Sequence, residues 1–407
     1  MDMIEFPQLI ERGCGLDVHR DTVVATVSGK DLPEQTLTFA THTQDLEKLI
    51  GWLQNQGVTH VAMESTGVYW KPVYYVLEGY FELLVVNARH IKNVPGHKTD
   101  KKDAEWIAKL LLSGLLKPSF VPREEMRFMR VLFRHRKKLV NQRSRAKNRL
   151  QNILQDANIK LSSVVSDVFS KTGLAIIQKL LEGITDPIVL ANQAKGSLVS
   201  KKEQLQLALH GRFTDHHSYM VRFIMDTIDS HNQAIEKLEA ELAICAKPFE
   251  HQLNLLQTIP GISQMAALGI LAEIGTEMDK FHSDKHLASW AGVCPGNNQS
   301  AGKKLSSRVT QGNNYLKTNL IEASWACSHT LNTYLSFKYW KLAQKRGKKK
   351  AAMAIGHEIL KAAYHILRDN TPYKEPQLRQ EIIDERRKAE MERLEKRLQK
   401  LKSLASN

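Results

Sequence analysis

The chain has 407 residues, room for two or three domains with cores of their own. Its hydrophobic share of 42% is ordinary for a globular protein, no apolar run reaches the ~20 residues of a membrane helix, and four scattered cysteines without CxxC spacing argue against a disulfide framework or a zinc site. The net charge of +15 is regional, with 8 Lys/Arg against 13 Asp/Glu in residues 1–100 and 50 against 30 in the remainder, so a basic body that attracts polyanions, most commonly nucleic acid, follows a mildly acidic first part.

The opening "MDMIEFPQLIER" carries early acids and lacks the basic-then-apolar pattern of a signal peptide, so a cytoplasmic, nucleoid-associated protein with no membrane partner is expected. "GCGLDVH" predicts a short strand with Cys14, Leu16 and Val18 on one face and Asp17 on the other. "TVVATVSG" and "QTLTFAT" follow as β-rich runs around a turn-rich stretch. "QDLEKLIGWLQNQG" is an amphipathic helix ending at Gly57. "THVAMEST" reads as a strand, "VYWKPVYYVLEG" as a helix and "FELLVVNA" as another strand. "KTDKKDAEWIA" opens a further helix at Asp100, with Asp103 in the place of a capping-box acid; helix capping and metal binding are both open readings of this pair. The order βββ–α–β–α–β–α is that of a ribonuclease H-like domain, assigned to residues 1–122.

Residues 123–250 are expected to form a basic helical, coiled-coil region. Residues 123–150 hold 11 Lys/Arg against 2 Asp/Glu, and their apolar residues follow a helical stripe. Arg130, Arg134, Lys137, Lys138 and Arg145 on such a helix are candidates for phosphate contacts. After a less informative stretch, Val221, Ile224, Ile228, His231, Ile235, Leu238, Leu242 and Cys245 alternate steps of three and four. That seam requires a partner helix, either the earlier basic helix or a second subunit.

Residues 251–372 are expected to be mainly helical. In "LQTIPGISQMAALGILAEIG" the turn at Gly261 and the cap at Ser263 resemble a helix-hairpin-helix, whose exposed N–H groups suit a DNA phosphate. "GNNQSAG" reads as a loop rich in turn formers, followed by Lys303, Lys304 and Arg308. Residues 373–407 form a charged helix with Met391, Leu394, Leu398 and Leu401 at a/d spacing, either assembling or solvated. The fold class expected is therefore α/β plus α: a ribonuclease H-like (RuvC-like) domain, a helical middle and an α-helical C-terminal domain.

In a ribonuclease H-like domain the first strand carries an acid in mid-strand, which Asp17 supplies, and the strand after the first helix a second near its end, which Glu64 supplies. Asp100 and Asp103 come to the same edge on a later helix. Four carboxylates from three segments repel one another without a metal and suit hard cations, giving an expected Mg²⁺ pair, with Mn²⁺ as an alternative, for in-line phosphoryl displacement.

"GLDVHRDT", "AMESTGVYW" and "KTDKKDAEWIA", together with "IPGIS", "WAGVCPGNNQSAGKK", "TQGNNYLK" and "RGKKKAAMAI", resemble the motifs of the insertion-sequence one-ten family of DEDD transposases, relatives of the pilin-gene invertase Piv. The resemblance implies a recombinase acting on double-stranded DNA at element ends and targets, in some members guided by a structured bridge RNA, and assembled as a dimer or tetramer. It implies Asp17, Glu64, Asp100 and Asp103 as the DEDD acids and Ser300, in "PGNNQSAG", as a nucleophile forming a phosphoserine link. "GVCP" and "VTQGNN" depart mildly from the family pattern beside that segment. The alternative function is a junction-type RuvC-like nuclease using water; an actin-like ATPase lacks its glycine-rich phosphate loops here, and a binding-only protein would have no use for the acids.

Overall fold

Strand β1 (Arg12–Val18) is the middle of a five-stranded sheet. The computed structural model describes residues 9–65, 67–87, 100–295, 298–300, 303–306, 309, 311–376, 387–388 and 390–398, and the chain divides into two units, residues 1–121 and 122–407. In the first unit β1 pairs antiparallel with β2 (Thr22–Gly29), and β2 with β3 (Leu32–Ala40). On its other edge β1 pairs parallel with β4 (His60–Glu64), and β4 with β5 (Glu82–Val86). The strand order β3-β2-β1-β4-β5 is that of a ribonuclease H-like sheet. Helices α1 (Thr43–Asn55) and α2 (Trp70–Leu77) make the crossovers that parallel neighbours require. The turn-rich stretch before β3 shrinks to two residues, because Asp31 accepts a left-handed φ of 57° and Gly29 pairs directly with Leu32.

Parity along β1 divides the faces of the sheet. Cys14, Leu16 and Val18 join Leu46, Leu49 and Leu53 of α1 and Val73 and Leu77 of α2 in one core. Gly13, Gly15 and Asp17 face the other way, toward α3 (Asp100–Leu112), whose Ile107, Leu110 and Leu111 meet Ala62 and Val86. Gly15 permits that approach: a Cβ there would stand 2.3 Å from the Ala104 carbonyl oxygen and 2.4 Å from the Ala108 nitrogen. Since both neighbours are backbone atoms of a helix, Gly15→Ala is expected to lift α3 from the sheet and destabilise the fold by about 3 kcal/mol, read from urea denaturation.

In the second unit α4 (Glu124–Asp156) spans 33 residues, close to ~50 Å at the rise of an α-helix. Beyond it α5 (Lys171–Leu181), α6 (Pro187–Ala191) and α7 (Lys202–Leu209) gather against Leu150, Leu154, Val221 and Ile224 in a core of their own. Helix α8 (Asp215–Ala246) then returns antiparallel to α4: Asp156 meets His217 at 3.2 Å, Arg143 meets Asn232 at 2.9 Å and Arg136 meets Glu239 at 2.7 Å. The predicted seam on α8 thus has its partner in the same chain, with Val221, Ile224, Ile228, Ile235 and Leu242 buried and His231 half-buried. His217 accepts from the Thr214 N–H through Nδ1 at 3.1 Å and so caps α8.

The remainder is built from α9 (Glu250–Gln257), α10 (Gln264–Ile274), α11 (Asp284–Ala291), the hairpin β6 (Asn298–Ser300) and β7 (Lys303–Ser306), α12 (Asn314–His329), α13 (Tyr334–Arg346) and α14 (Lys348–Asp369). Helix α10 is apolar around its circumference save for Glu273 and is buried from Ala267 to Ile274, which suits a helix surrounded by α4, α9 and α12. Among the described residues no helix is long and apolar enough to cross a membrane.

Candidate active site

Asp17 and Glu64 come together through the parallel register of β1 and β4. Leu16 is opposite Met63, so Asp17 and Glu64 stand at adjoining strand ends. Both lie on the face that α3 covers, since Glu64 is two residues from Ala62 and Asp17 two from Gly15. Helix α3 runs antiparallel to β1: Leu111 and Leu112 lie over Gly13, Ala104 and Ala108 over Gly15. One turn further along, its N-terminal end with Asp103 reaches the level of Asp17. Asp17, Glu64 and Asp103 are all partly buried, and His19 Nε2 lies 3.1 Å from Asp17 Oδ2. The side chain of Asp100 lies outside the described residues.

These donors are all carboxylate oxygens, the hard set that Mg²⁺ or Mn²⁺ takes, and their placement at the carboxyl ends of parallel strands fits such an ion. Among the described residues no group of three or more His, Cys, Asp or Glu already closes around a point.

The serine segment belongs to the second unit. The sequence suggests a loop there; the structure corrects this to two short paired strands, because Asn298–Ser300 finds a pairing partner in Lys303–Ser306 that local propensity does not reveal. Ser300 pairs with Lys303 and Gln299 with Lys304, and Pro295 bridges Val309 below them. Ser300 is therefore the last paired residue before the reversal. The side chains of Ser300, Lys303 and Lys304, and all of Arg308, lie outside the described residues.

Both feet of this hairpin are clamped. Gly292 ends α11 in the left-handed conformation (φ 71°), and Gly312 lies so close that a Cβ on it would be 2.4 Å from the Gly292 nitrogen. Asn313 then caps α12, accepting from the Tyr315 and Leu316 N–H groups at 3.1 Å each, and donates through Nδ2 to Glu273 Oε2 at 2.5 Å. Glu273 is fully buried on α10. Arg134 donates to both its carboxylate oxygens, at 2.7 and 2.8 Å, and stacks over Tyr315 at 4.7 Å. Arg130 donates to the Ala272 and Glu273 carbonyls at 3.0 and 2.6 Å. Sequence reasoning missed this network because its members come from three distant segments. The signal available was a lone acid in the apolar run "AALGILAEIG", which burial obliges to find cationic partners.

The network changes how the candidate nucleic-acid residues are distributed. Arg130 and Arg134 are committed inside the unit, and Lys137 meets Glu322 at 2.5 Å. Gly261 (φ 81°) turns its open side to α12, where a Cβ would lie 2.6 Å from the Cys327 nitrogen, so it serves close packing against α12. Lys138 and Arg145 are exposed, two turns apart on α4.

Comparison with known proteins gives two family models in chain order: a DEDD-type IS110 model described as "Transposase" over residues 14–159, and "Transposase IS116/IS110/IS902 family" over residues 253–341. The chain is similar to the pilin gene-inverting protein of Moraxella bovis, 24% identical over 379 residues, covering 88% of this chain and 96% of that protein. It is also similar to the transposase for insertion sequence element IS1111A of Coxiella burnetii, 22% identical over 295 residues, covering 71% of this chain and 72% of that protein. A solved structure of T. thermophilus RuvC in complex with a Holliday junction substrate aligns over 27% of this chain and 99% of that one, with 12% identity and a TM-score of 0.21. The fold assignment stands on strand order and register. Between them the two family models span more than half of the chain, one over the acid-bearing sheet and one over the serine hairpin, and the chain belongs to the IS110 family of transposases, enzymes of DNA transposition and recombination.

Proposed function

We propose that this transposase breaks and rejoins DNA strands through a phosphoserine link, the acids of the first unit serving as metal ligands and Ser300 as the nucleophile. The observation that carries the reading is the convergence of Asp17, Glu64 and the start of α3 on one face at adjoining ends of parallel strands. Asp17, Glu64, Asp100 and Asp103 are the ligands for Mg²⁺ or Mn²⁺, which when bound supplies positive charge to the scissile phosphate and favours loss of a serine proton. Ser300 Oγ forms the new bond to phosphorus while the bond to the leaving sugar oxygen breaks, and that oxygen is released as a sugar hydroxyl. Attack by an incoming sugar hydroxyl then restores the serine and a phosphodiester, so no bond is spent on water.

Duplex DNA is held by Lys138 and Arg145 on α4 and by Lys303, Lys304 and Arg308 beside the serine. Arg130, Arg134 and Gly261 act indirectly, by fixing α10 and α12. The α9–α10 turn, capped by Ser263 accepting from Ala266 at 3.2 Å, is a helix-hairpin-helix in the same service. A structured bridge RNA selects the DNA partners, and the protein works as a homo-oligomer, a dimer or tetramer.

Ser300→Ala tests the reading. With an element-end duplex and Mg²⁺ the unaltered enzyme is expected to give a denaturant-stable protein–DNA adduct, and the variant none, with strand cleavage reduced at least ~10³-fold. A variant that still cuts would instead identify a nuclease using water.

A further inference from the structure

The stretch from Ala323 to His357 contains no acid. Within it α13 ends on Lys345 and Arg346, Gly347 reverses the chain at φ 83°, and α14 opens on Lys348, Lys349 and Lys350. These five cations and Lys341, one turn earlier, are all exposed. Lys338 is paired, with Glu358 at 3.1 Å; none of the other six has an acidic partner among the described residues.

Folding does not explain this cluster. Three lysines in the first turn of a 22-residue helix stand at the positive end of its dipole, where acids would stabilise it. Nor does it explain the aromatic surface beside them. Trp325 is 48% exposed, with Lys348 Nζ 6.0 Å from its ring centre, and Trp340 is 38% exposed, its indole N–H donating to the Ser328 carbonyl at 2.9 Å. Unneutralised cations around a helical reversal, with an exposed indole beside them, suit one partner: a phosphate backbone whose sugars pack on the indole.

We infer that the α13–α14 tip is a grip for the backbone of duplex DNA, built from residues other than the acids and the serine segment. Five of its six cations are lysines, point charges that neutralise phosphates without the planar fork that reads bases. The grip therefore adds affinity and orientation without sequence preference. The inference requires that the chain works on DNA, and is independent of the serine and metal chemistry.

Full-length Lys345→Gln/Arg346→Gln/Lys348→Gln/Lys349→Gln tests it, with a duplex of unrelated sequence, no divalent cation, and salt varied from about 50 to about 200 mM. The slope of log affinity against log salt is expected to fall by up to about 3.6, near 0.9 for each of the four phosphate contacts removed, with binding at the upper salt weakened at least ~10-fold. A second variant, Lys348→Glu/Lys349→Glu, is expected to bind still more weakly per residue changed while melting no lower than the parent, because acids suit the start of α14. An unchanged slope in both variants overturns the inference. A loss seen with a folded RNA hairpin but not with the duplex overturns the assignment to DNA. Because nothing is cut in this assay, failure of the grip and failure of the phosphoserine reading are separate results.

Discussion

Asp17→Asn is expected to reduce strand cleavage in Mg²⁺ at least ~10³-fold while shifting the melting midpoint by no more than a few degrees. The separation of the two effects follows from where the residue sits. Asp17 shares its face of β1 with Gly13 and Gly15, and contributes no apolar side chain to either core of the sheet. Its carboxylate is one of several gathered at the end of β1 and β4, so neutralising it relieves repulsion in the metal-free protein even as it removes an ion ligand. The same change at Glu64 is expected to have the same effect, and the double variant to be no worse than either single one, since residues that serve one ion fail together. Gel assays of strand cleavage over a series of Mg²⁺ concentrations give the first quantity and a thermal melt the second. An Asp17→Asn enzyme that cuts at the parent rate would remove Asp17 from the site.

Glu273→Ala carries the largest expected loss of stability, about 3–5 kcal/mol, because it leaves the Arg134 guanidinium and the Asn313 amide aimed at a buried place with no anion in it. Glu273→Gln keeps an acceptor for Asn313 and is expected to lose less. The damage should be regional: faster hydrogen exchange in α10 and at the start of α12, where the cap made by Asn313 depends on the same carboxylate. Arg134→Ala separates two roles for that arginine. As a structural group it lowers the melting temperature by an amount comparable to Glu273→Ala, with duplex affinity per folded molecule unchanged; a drop in affinity and an unaltered melt would make it a phosphate contact. Loosening the hairpin foot is also expected to lower strand cleavage more than DNA binding, since affinity rests on exposed lysines elsewhere.

Much of the first unit was legible in the sequence. Alternation fixed which residues of β1 face which side, and the element order pointed to the fold, since strands joined by helices have few ways to lie in one sheet. The places of Asp17 and Glu64 in that sheet were legible for the same reason. The acids are few, they stand near the ends of recognisable strands, and the N-terminal signal of α3 marks where Asp100 and Asp103 begin a helix. The serine hairpin was not legible as a hairpin: Asn298–Ser300 is short, polar and rich in turn formers, and nothing in local propensity distinguishes it from a loop. Pairing with Lys303–Ser306 makes it a strand.

The basic helix shows the opposite case. Its amphipathic pattern predicted α4 correctly, and its length, but charge could not be apportioned from pattern alone. Arg130, Arg134, Lys138 and Arg145 look alike in sequence. Only folding places Glu273 under the first two and leaves the last two in solvent.

The sequence by itself thus determined most elements of the first unit, the long basic helix and the faces of the central strand, all of which depend on periodicities of two to four residues. The tertiary structure alone decided which cations remain available to a polyanion, that Gly261 turns into α12, and that the serine rides on a clamped hairpin. Those depend on groups from separate segments meeting in a low-dielectric interior, where each buried charge must find its partner or be excluded, and no local pattern records that choice.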